Sequence, residues 1–209
     1  MKPPYKLKDG SIVPGVTTIT GQYPKPESFL DWVWGCGKKK KPWRGERDYA
    51  GKIGKLAHAL VMSYWTKEEV SLSGYTLGQC DMAGHCADKI YSWKDLKAIE
   101  PILVEIPLVS EVYKFGGQPD LYARVNGKNR LIDIKTSGNI YDSHWLQLAA
   151  YGILLRAVRG FKVDEYQILW LPKDNRFDDP IRTDLRREKR IFKYLLSIYE
   201  ERKANEPPW

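Results

Sequence analysis

An apolar segment in the second half of the chain, residues 131–135, carries two charges and reads Leu-Ile-Asp-Ile-Lys. Side chains along a strand point alternately to opposite faces, so Asp133 and Lys135 are predicted to share one face. Such a pair is most often exposed and contributes less than about 1 kcal/mol to stability. The apolar neighbours instead favour a central strand, where a buried charge is costly unless a ligand or a metal compensates it. The segment therefore predicts a sheet whose interior holds a charged site.

A second strand is predicted over residues 118–125, and the Asn-Gly-Lys-Asn sequence that follows at 126–129 is a strong hairpin signal. An antiparallel hairpin with this turn can bring Asp120 close to Asp133. Two carboxylates a few ångströms apart repel each other unless a cation lies between them, and oxygen ligands suit Mg²⁺ or Mn²⁺. Lys135 adds an ammonium group that could orient a water molecule or neutralise charge on a phosphate. The hairpin is therefore the predicted centre of any chemistry.

Helical periodicity dominates the first hundred residues, and strand patterns follow. Residues 5–20 are typical of a hairpin with its turn at Asp9-Gly10. Five helices are predicted, over 29–34, 48–65, 77–99, 144–158 and 185–203. Beyond the N-terminal hairpin, four strands are predicted, over 102–108, 118–125, 130–136 and 166–171. This order predicts an α/β fold in which a central mixed sheet is flanked by helices, with an N-terminal extension of a hairpin and helices.

The length of 209 residues suits one domain, 1–209. We expect a mainly helical part over 1–100, a sheet core over 101–172 and a C-terminal helix over 184–204. Hydrophobic residues make up 43% of the chain, enough for a packed core, which excludes global disorder.

The sequence also bears on location. No apolar run approaches the roughly 20 residues of a membrane-spanning helix, and residues 1–5 lack the apolar segment of a secretory signal. The three cysteines are too few for a disulfide framework, which favours a reducing compartment. We therefore expect a cytoplasmic, intracellular protein with no membrane partner. The sequence does not determine its oligomeric state.

Positive charge is concentrated near the start of the chain. The net charge is +8, and residues 1–60, with 12 basic and 5 acidic side chains, account for +7 of it. The densest group comprises Lys38, Lys39, Lys40, Lys41, Trp43 and Arg44. Cations meet phosphates and aromatic rings stack on unpaired bases, so this segment is a candidate nucleic-acid-binding site. A solvated lysine loop that aids solubility explains the same pattern.

Further motifs surround the predicted hairpin. Gly54 and His58 have the spacing Gly-x-x-x-His, Gly116 and Asp120 the spacing Gly-x-x-x-Asp, and residues 147–151 read Gln-Leu-Ala-Ala-Tyr. Together with Pro119-Asp120 and Asp133-x-Lys135, these motifs resemble the PD-(D/E)XK nuclease superfamily and its RecB-like exonuclease branch. Residues 13–19 and 30–32 are similar to the N-terminal entry of phage exonucleases and of the mitochondrial genome maintenance exonuclease. The resemblance covers about residues 12–155.

The resemblance implies a restriction-endonuclease-like core and a Mg²⁺- or Mn²⁺-dependent nuclease that hydrolyses DNA from free ends in recombination, repair or replication. It implies that Asp120, Asp133 and the Ile134 carbonyl bind the metal and that Lys135 positions or activates the attacking water. It adds His58 as a further ligand and Glu105 as a carboxylate on the preceding strand. Gln147 and Tyr151, one helical turn apart, would line the site and contact the substrate phosphate.

Several of these assignments have structural alternatives. His58 lies near the apolar face of its helix, where a lone histidine is often a core residue. Glu105 could face solvent, since Val104 and Ile106 point the other way, and Tyr151 could serve mainly in packing.

The substrate and the cofactors also leave alternatives. Eight tryptophans favour single-stranded DNA, although most of them could belong to the core. An endonuclease on the same core and a catalytically silent nucleic-acid-binding module are the rival functions. An iron–sulfur cluster is not expected, because relatives that hold one use three C-terminal cysteines and no cysteine follows Cys86 here.

Overall fold

The N-terminal part of the protein is mainly helical. The computed structural model describes residues 4–205, so part of the segment examined for a secretory signal, residues 1–3, lies outside the described residues. Strands β1 (Tyr5–Lys6) and β2 (Ile12–Val13) form an antiparallel hairpin. Four helices follow: α1 (Val16–Thr20), α2 (Glu27–Lys38), α3 (Trp43–Thr66) and α4 (Leu77–Asp88). Two short 3-10 turns, Lys89–Ser92 and Leu96–Ala98, lead into the sheet.

A five-stranded mixed sheet forms the centre of the molecule. Its strands are β3 (Ile99–Val104), β6 (Leu121–Val125), β7 (Lys128–Lys135), β8 (Glu165–Trp170) and β9 (Ile181–Arg182), in the spatial order β3-β6-β7-β8-β9. Neighbouring strands are antiparallel except β7 and β8, which are parallel and joined by helix α5 (Asp142–Arg159). Strands β4 (Leu108–Ser110) and β5 (Phe115–Gly117) form a separate hairpin, and helix α6 (Arg186–Ala204) follows β9. The predicted α/β class, with a mixed sheet flanked by helices, is confirmed.

Two buried layers enclose this sheet. On one face, Leu131 of β7 packs with residues of α1, α5 and α6. On the other face, Ile132 and Ile134 pack with Val61 and other residues from the C-terminal half of α3. The alternation along β7 therefore turns Asp133 toward the α5 side and leaves its two apolar neighbours in the opposite layer.

Several predicted boundaries were wrong. Residues 16–20 form helix α1 rather than part of the hairpin. Helix α2 continues through Gly35 and Gly37, because both glycines lie in open space and cost the helix only about 1 kcal/mol each. Helix α3 begins at Trp43, directly after Pro42, which is tolerated at a helix start because it lacks a backbone N–H.

One strand boundary and one further helix boundary also differ from the prediction. The strand expected over 102–108 ends at Val104, because Glu105 has a left-handed backbone with φ of 50° that breaks the ladder. The helix expected over 77–99 ends at Asp88, since the chain becomes extended at Trp93. The two-residue, exposed strand β9 was not predicted. Over residues 4–205, no helix has the length and apolar character that crossing a membrane requires.

Candidate active site

Five ionisable side chains from four parts of the chain meet at one end of β7. They are His58 of α3, Glu105 just after β3, Asp120 just before β6, and Asp133 and Lys135 of β7. We call these five residues the acidic centre. Three carboxylates face two basic groups there, so the centre is suited to hold an additional cation.

The β6–β7 hairpin positions the two aspartates. Its register pairs Leu121 with Ile132, and one further step along the ladder places Asp120 opposite Asp133. Asp120 Oδ2 accepts a hydrogen bond of 2.8 Å from the backbone N–H of Ile134. This bond fixes the carboxylate of Asp120 against the strand that carries Asp133 and Lys135. The sequence-predicted pair therefore lies together, and the side chain of Ile134 lies in the core.

Asp133 is the most deeply buried member of the centre, with no exposed surface. Its Oδ2 forms an ion pair with Lys135 Nζ, but neither carboxylate oxygen accepts a hydrogen bond of ordinary geometry. Burial raises the pKa of Asp133 to about 6; the charge of Asp120 also raises it, and Lys135 and His58 oppose the rise. A buried carboxylate without hydrogen bonds is unusual and costly, so it calls for a functional explanation.

Asp120 has the opposite electrostatic environment. Burial alone would raise its pKa, but the charge and hydrogen bond of His58, the charge of Lys135 and the N–H of Ile134 outweigh burial and lower it. Neighbouring carboxylates whose pKa values shift in opposite directions are typical of catalytic centres.

His58 bridges two of the carboxylates. Its Nε2 lies 3.1 Å from Asp120 Oδ1 and its Nδ1 lies 3.7 Å from Glu105 Oε1. Burial lowers the pKa of His58, but the charges of Asp120, Glu105 and Asp133 outweigh it, so the net shift is upward. The ring therefore faces carboxylates, as a ligand position requires, and is one quarter exposed.

Gly54 explains how His58 reaches the centre. A Cβ at position 54 would lie 2.9 Å from Thr136 Oγ1, so any larger residue would require Thr136 or helix α3 to shift, and glycine permits this close approach to the end of β7. His58 follows Gly54 by one helical turn. The spacing Gly-x-x-x-His thus has a steric origin in this chain, and Thr136 is a supporting residue that the sequence analysis missed.

Glu105 completes the open side of the centre. Its N–H donates to the carbonyl of Asp120 at 2.9 Å, and about one third of its side chain is exposed. The expected position on a strand is wrong, since Glu105 lies just beyond β3 in a left-handed conformation. Neither the strand pattern nor any glycine signals this conformation in the sequence.

Helix α5 forms one wall of the site. Gln147 Nε2 donates a hydrogen bond of 2.9 Å to the hydroxyl of Tyr151. Burial raises the pKa of Tyr151 well above its usual value, and the charges of Asp133 and Asp120 raise it further, so this hydroxyl faces the centre. The same tyrosine also packs in the core against Gly117, where a Cβ would lie 2.7 Å from Tyr151 Cε1. Tyr151 therefore serves both in packing and at the edge of the site.

Tyr5 was also missed by the sequence analysis. Its ring covers Gly116, where a Cβ would lie 2.4 Å from Tyr5 Cγ. The contact fixes the N-terminal hairpin beside β5, which leads to Asp120. Two adjacent glycines, at 116 and 117, were the signal for such close approaches.

The donor atoms of the centre fit a hard divalent cation. Among residues 4–205, no three His, Cys, Asp or Glu side chains form a complete set of metal ligands. His58 Nε2 lies within bonding distance of Asp120 Oδ1 instead. The two oxygens of Asp133 without hydrogen bonds and the neighbouring carboxylate of Asp120 are the donors that Mg²⁺ or Mn²⁺ prefers. The residues present therefore match such an ion.

A second cluster lies where α2 meets α3. Its rings, Phe29, Trp32 and Trp43, have centroids 5.8 to 6.4 Å apart. Arg44 and Arg47 lie over the ring of Trp43, at 4.6 and 5.4 Å from its centroid. We call residues 29–47 the basic corner.

The four lysines of the basic corner, Lys38–Lys41, are all exposed, as is Trp34, at 69%. Lys38 lies over the ring of Trp34, 5.5 Å from its centroid. The sequence places Phe29, Trp32 and Trp34 on a predicted helix, and Trp43 is the one ring it places in the candidate nucleic-acid-binding segment. Their proximity to the lysine run in sequence was the available signal.

No family model matches the chain, and neither does any curated protein. Similar solved structures include a candidate exonuclease from Eubacterium rectale, with 14% identity over 72% of this chain and 65% of that one and a TM-score of 0.48. The chain thus spans slightly less than two thirds of that protein.

Two further structures are SSO0001 and LHK-Exo in complex with dAMP. SSO0001 has 16% identity over 76% of this chain and 75% of its own, with a TM-score of 0.39. LHK-Exo has 18% identity over 76% of this chain and 97% of its own, with a TM-score of 0.36. These identities and scores are too low to assign the chain to a family.

Proposed function

We propose that the protein is a metal-dependent nuclease that hydrolyses phosphodiester bonds in DNA. The observation that carries the proposal is the position of Asp133, fully buried, without ordinary hydrogen bonds, opposite Asp120 and paired with Lys135. A protein that only bound nucleic acid would gain nothing from this costly arrangement. A catalytic centre would use it, because a carboxylate without ordinary hydrogen bonds, as at Asp133, can accept a cation.

Each member of the acidic centre has a proposed role. Asp120, Asp133 and the Ile134 carbonyl would hold Mg²⁺ or Mn²⁺, with His58 and Glu105 as further ligands on the open side. The ion supplies electrostatic stabilisation of the charge that develops on the phosphate and the leaving oxygen.

The protein's own groups would position the reactants. Lys135, held by Asp133, donates a hydrogen bond that orients the attacking water in line with the scissile bond. Gln147 has a second amide N–H besides the one bonded to Tyr151, and this group is available for a phosphate oxygen.

The basic corner is the proposed entry site for DNA. Trp43 and His58 lie on the same helix, and fifteen residues of α3 separate them by about 22 Å. Cations there attract the backbone, and the exposed ring of Trp34 offers a surface on which an unpaired base can stack. We therefore propose a single-stranded or frayed end as the preferred substrate and an exonuclease as the mode of action. Such an activity would serve recombination, repair or replication inside the cell.

The test of nuclease activity compares the unaltered protein with Asp133→Asn on end-labelled DNA in Mg²⁺ or Mn²⁺. Asparagine keeps the volume but removes the charge that a metal ligand supplies, so we expect cleavage to fall by at least about a thousandfold. Asp81→Asn, an exposed position on α4, is the matched control and should cleave like the unaltered protein. Equal cleavage by the Asp133 variant would refute the nuclease. DNA binding without any cleavage would favour the silent binding module.

A second experiment separates the exonuclease from an endonuclease. Closed circular DNA, linear duplex and single strands are incubated side by side with the protein. We expect single strands to be degraded fastest and closed circles to persist, because they have no end to enter at the basic corner. Rapid cutting of the closed circles would overturn the exonuclease assignment and leave the nuclease in place.

A further inference from the structure

His144 shares a face of helix α5 with two proposed site residues. It precedes Gln147 by three positions and Tyr151 by seven, and residues at these spacings lie on one face of a helix. That face is turned toward the acidic centre, since the charges of Asp133 and Asp120 help to raise the pKa of Tyr151. His144 was not among the site residues expected from the sequence.

The hydrogen bonding of His144 assigns its proton to one nitrogen. Nδ1 accepts the backbone N–H of Tyr141 at 3.3 Å, and the ring stands edge-to-face on the ring of Tyr141 at 5.4 Å. In a neutral imidazole the other nitrogen, Nε2, must then carry the proton. Within residues 4–205 no group accepts a hydrogen bond from Nε2, and the side chain is partly exposed.

The surroundings of His144 favour an uncharged donor. Burial and the nearby charge of Lys135 lower the pKa of His144 to about 3. The imidazole is therefore neutral at physiological pH. A neutral N–H beside an ammonium group is suited to one of the oxygens of a phosphate, which accepts from both groups at once.

Supporting the helix does not by itself require histidine. Helix α4 begins with the same arrangement, in which Gln79 Oε1 accepts the backbone N–H of Thr76 at 3.0 Å. Glutamine or glutamate is the usual residue for that purpose. Histidine at the corresponding position of α5 provides the same acceptor and, unlike glutamate, also carries a donor, which lies on the far side of the ring.

Building on the proposed nuclease function, we propose that His144 Nε2 donates a hydrogen bond to a non-bridging phosphate oxygen of DNA bound at the acidic centre. His144 would then hold the backbone beside Lys135 and Gln147, on the α5 side of the scissile bond. In this role it is a substrate-contacting residue that determines where the strand lies.

Three substitutions separate the donor from the support of the helix. His144→Glu keeps an acceptor for the Tyr141 N–H but has no donor, His144→Gln keeps both, and His144→Ala keeps neither. We expect kcat/KM for a labelled single strand to fall about 10- to 100-fold in the Glu and Ala variants and less than about fivefold in the Gln variant. His85→Gln is the matched control, because His85 bonds only to the carbonyl of Asp174 in the described structure and lies on α4. A loss in the Gln variant equal to that in the Ala variant would overturn the proposal.

A chemical change in the DNA tests the contact directly. Methylphosphonate linkages, which replace one non-bridging oxygen by a methyl group, are placed singly at the scissile phosphate and at its neighbours. At one position the change should weaken cleavage by the unaltered protein and have no further effect in His144→Ala. Additive losses at every position would show that His144 contacts no phosphate, even if the helix remains folded by circular dichroism. If the unaltered protein failed to cleave DNA, the proposed function itself would fall, whereas normal cleavage by His144→Ala would remove only this inference.

Discussion

The acidic centre and the basic corner are joined by one helix, α3, but different forces hold their side chains in place. In the acidic centre, backbone ladders, core packing and the Ile134–Asp120 hydrogen bond fix each group. In the basic corner, lysines and rings lie on the surface of α2 and α3, and Cys36 is the one buried residue that α2 contributes among the residues described. Under the proposed function, the sheet would supply the fixed distances that catalysis needs, and the exposed helices would supply attraction that needs only charge and area.

This difference separates the effects of substitution in the two regions. A change in the acidic centre should alter the rate of the bound complex, since it alters geometry at the reacting atoms. A change in the basic corner should alter affinity and its salt dependence, since exposed cations act through long-range attraction. The following substitutions test that separation.

Replacing Lys135 by methionine should have the largest effect. Methionine keeps most of the apolar stem and removes the ammonium that is paired with Asp133. We expect kcat to fall about a thousandfold, while the Kd for a single strand in Ca²⁺ stays within about threefold. Lys97→Met, at an exposed site, is the control. A variant that lost affinity for DNA and kept kcat would show that Lys135 acts in DNA binding, as proposed for the basic corner, and not in catalysis.

Changing Lys38–Lys41 together to glutamine should have the opposite effect, a loss of DNA affinity without a loss of kcat. We expect the Kd at 0.1 M salt to rise about 50-fold with kcat unchanged, because in the proposed role these exposed cations would meet only the phosphate backbone of DNA, away from the acidic centre. The slope of log affinity against log salt concentration should become shallower by about 3, because each of the four lysines contributes about 0.7 to the slope on a single strand. An unchanged salt slope would support the alternative of a solvated lysine loop.

Much of the acidic centre could be predicted because its parts are close in sequence. Asp133 follows Asp120 by thirteen positions, the Asn126-Gly127 turn fixes the register, and alternation places Lys135 beside Asp133. The position of His58 came from a motif, and the structure supplies its reason in the contact between Gly54 and Thr136.

The remaining features depend on contacts between elements that are distant in sequence, and the hydrophobic periodicity of the sequence does not reveal such contacts. Tyr5 covers Gly116, which is more than a hundred positions away in sequence, and the local sequence around either residue does not predict this contact. The bounds of α2 were missed because a glycine was taken as a helix end, although in open space it weakens a helix without ending it. The left-handed backbone of Glu105, which ends β3, has no signal in the local sequence.

A third substitution tests whether stability resides in the sheet. Arg130 is buried in β7 and bonds to Glu165 and Asp95, each at 2.6 Å. Glu165→Gln removes one of these anions, and we expect the free energy of unfolding at pH 7 to fall by about 2 kcal/mol, measured by urea denaturation. Glu100→Gln, at an exposed position on β3, is the control, and the Lys38–Lys41 variant should also keep its stability.

The pH dependence of the Glu165 effect has a defined sign. Burial opposes ionisation of Glu165, but hydrogen bonds and charges from Lys128 and Arg130 outweigh it, so its pKa is lowered in the folded protein. The contribution of the ionised Glu165 to the free energy of unfolding is therefore complete above the pKa of about 4.3 that glutamate has in the unfolded chain. It is lost as pH falls through the lower pKa that Glu165 has in the folded protein. The difference between the two proteins should be largest near pH 7 and should shrink below about pH 4. A difference that grew in acid would contradict this ion pair.

The smallest effect is expected at Gly54, on the helix that joins the two regions. A Cβ there would meet Thr136 Oγ1, push α3 outward and move His58 away from Asp120, so Gly54→Ala should lower kcat about tenfold. Gly51→Ala, on the same helix in open space, should leave kcat unchanged and slightly raise stability. Adding Thr136→Ala to Gly54→Ala removes the clash and should restore most of the rate, with DNA affinity constant throughout. A loss that Thr136→Ala does not relieve would mean that His58 is placed by something other than this contact, and that the distance between α3 and β7 does not set the geometry of the acidic centre.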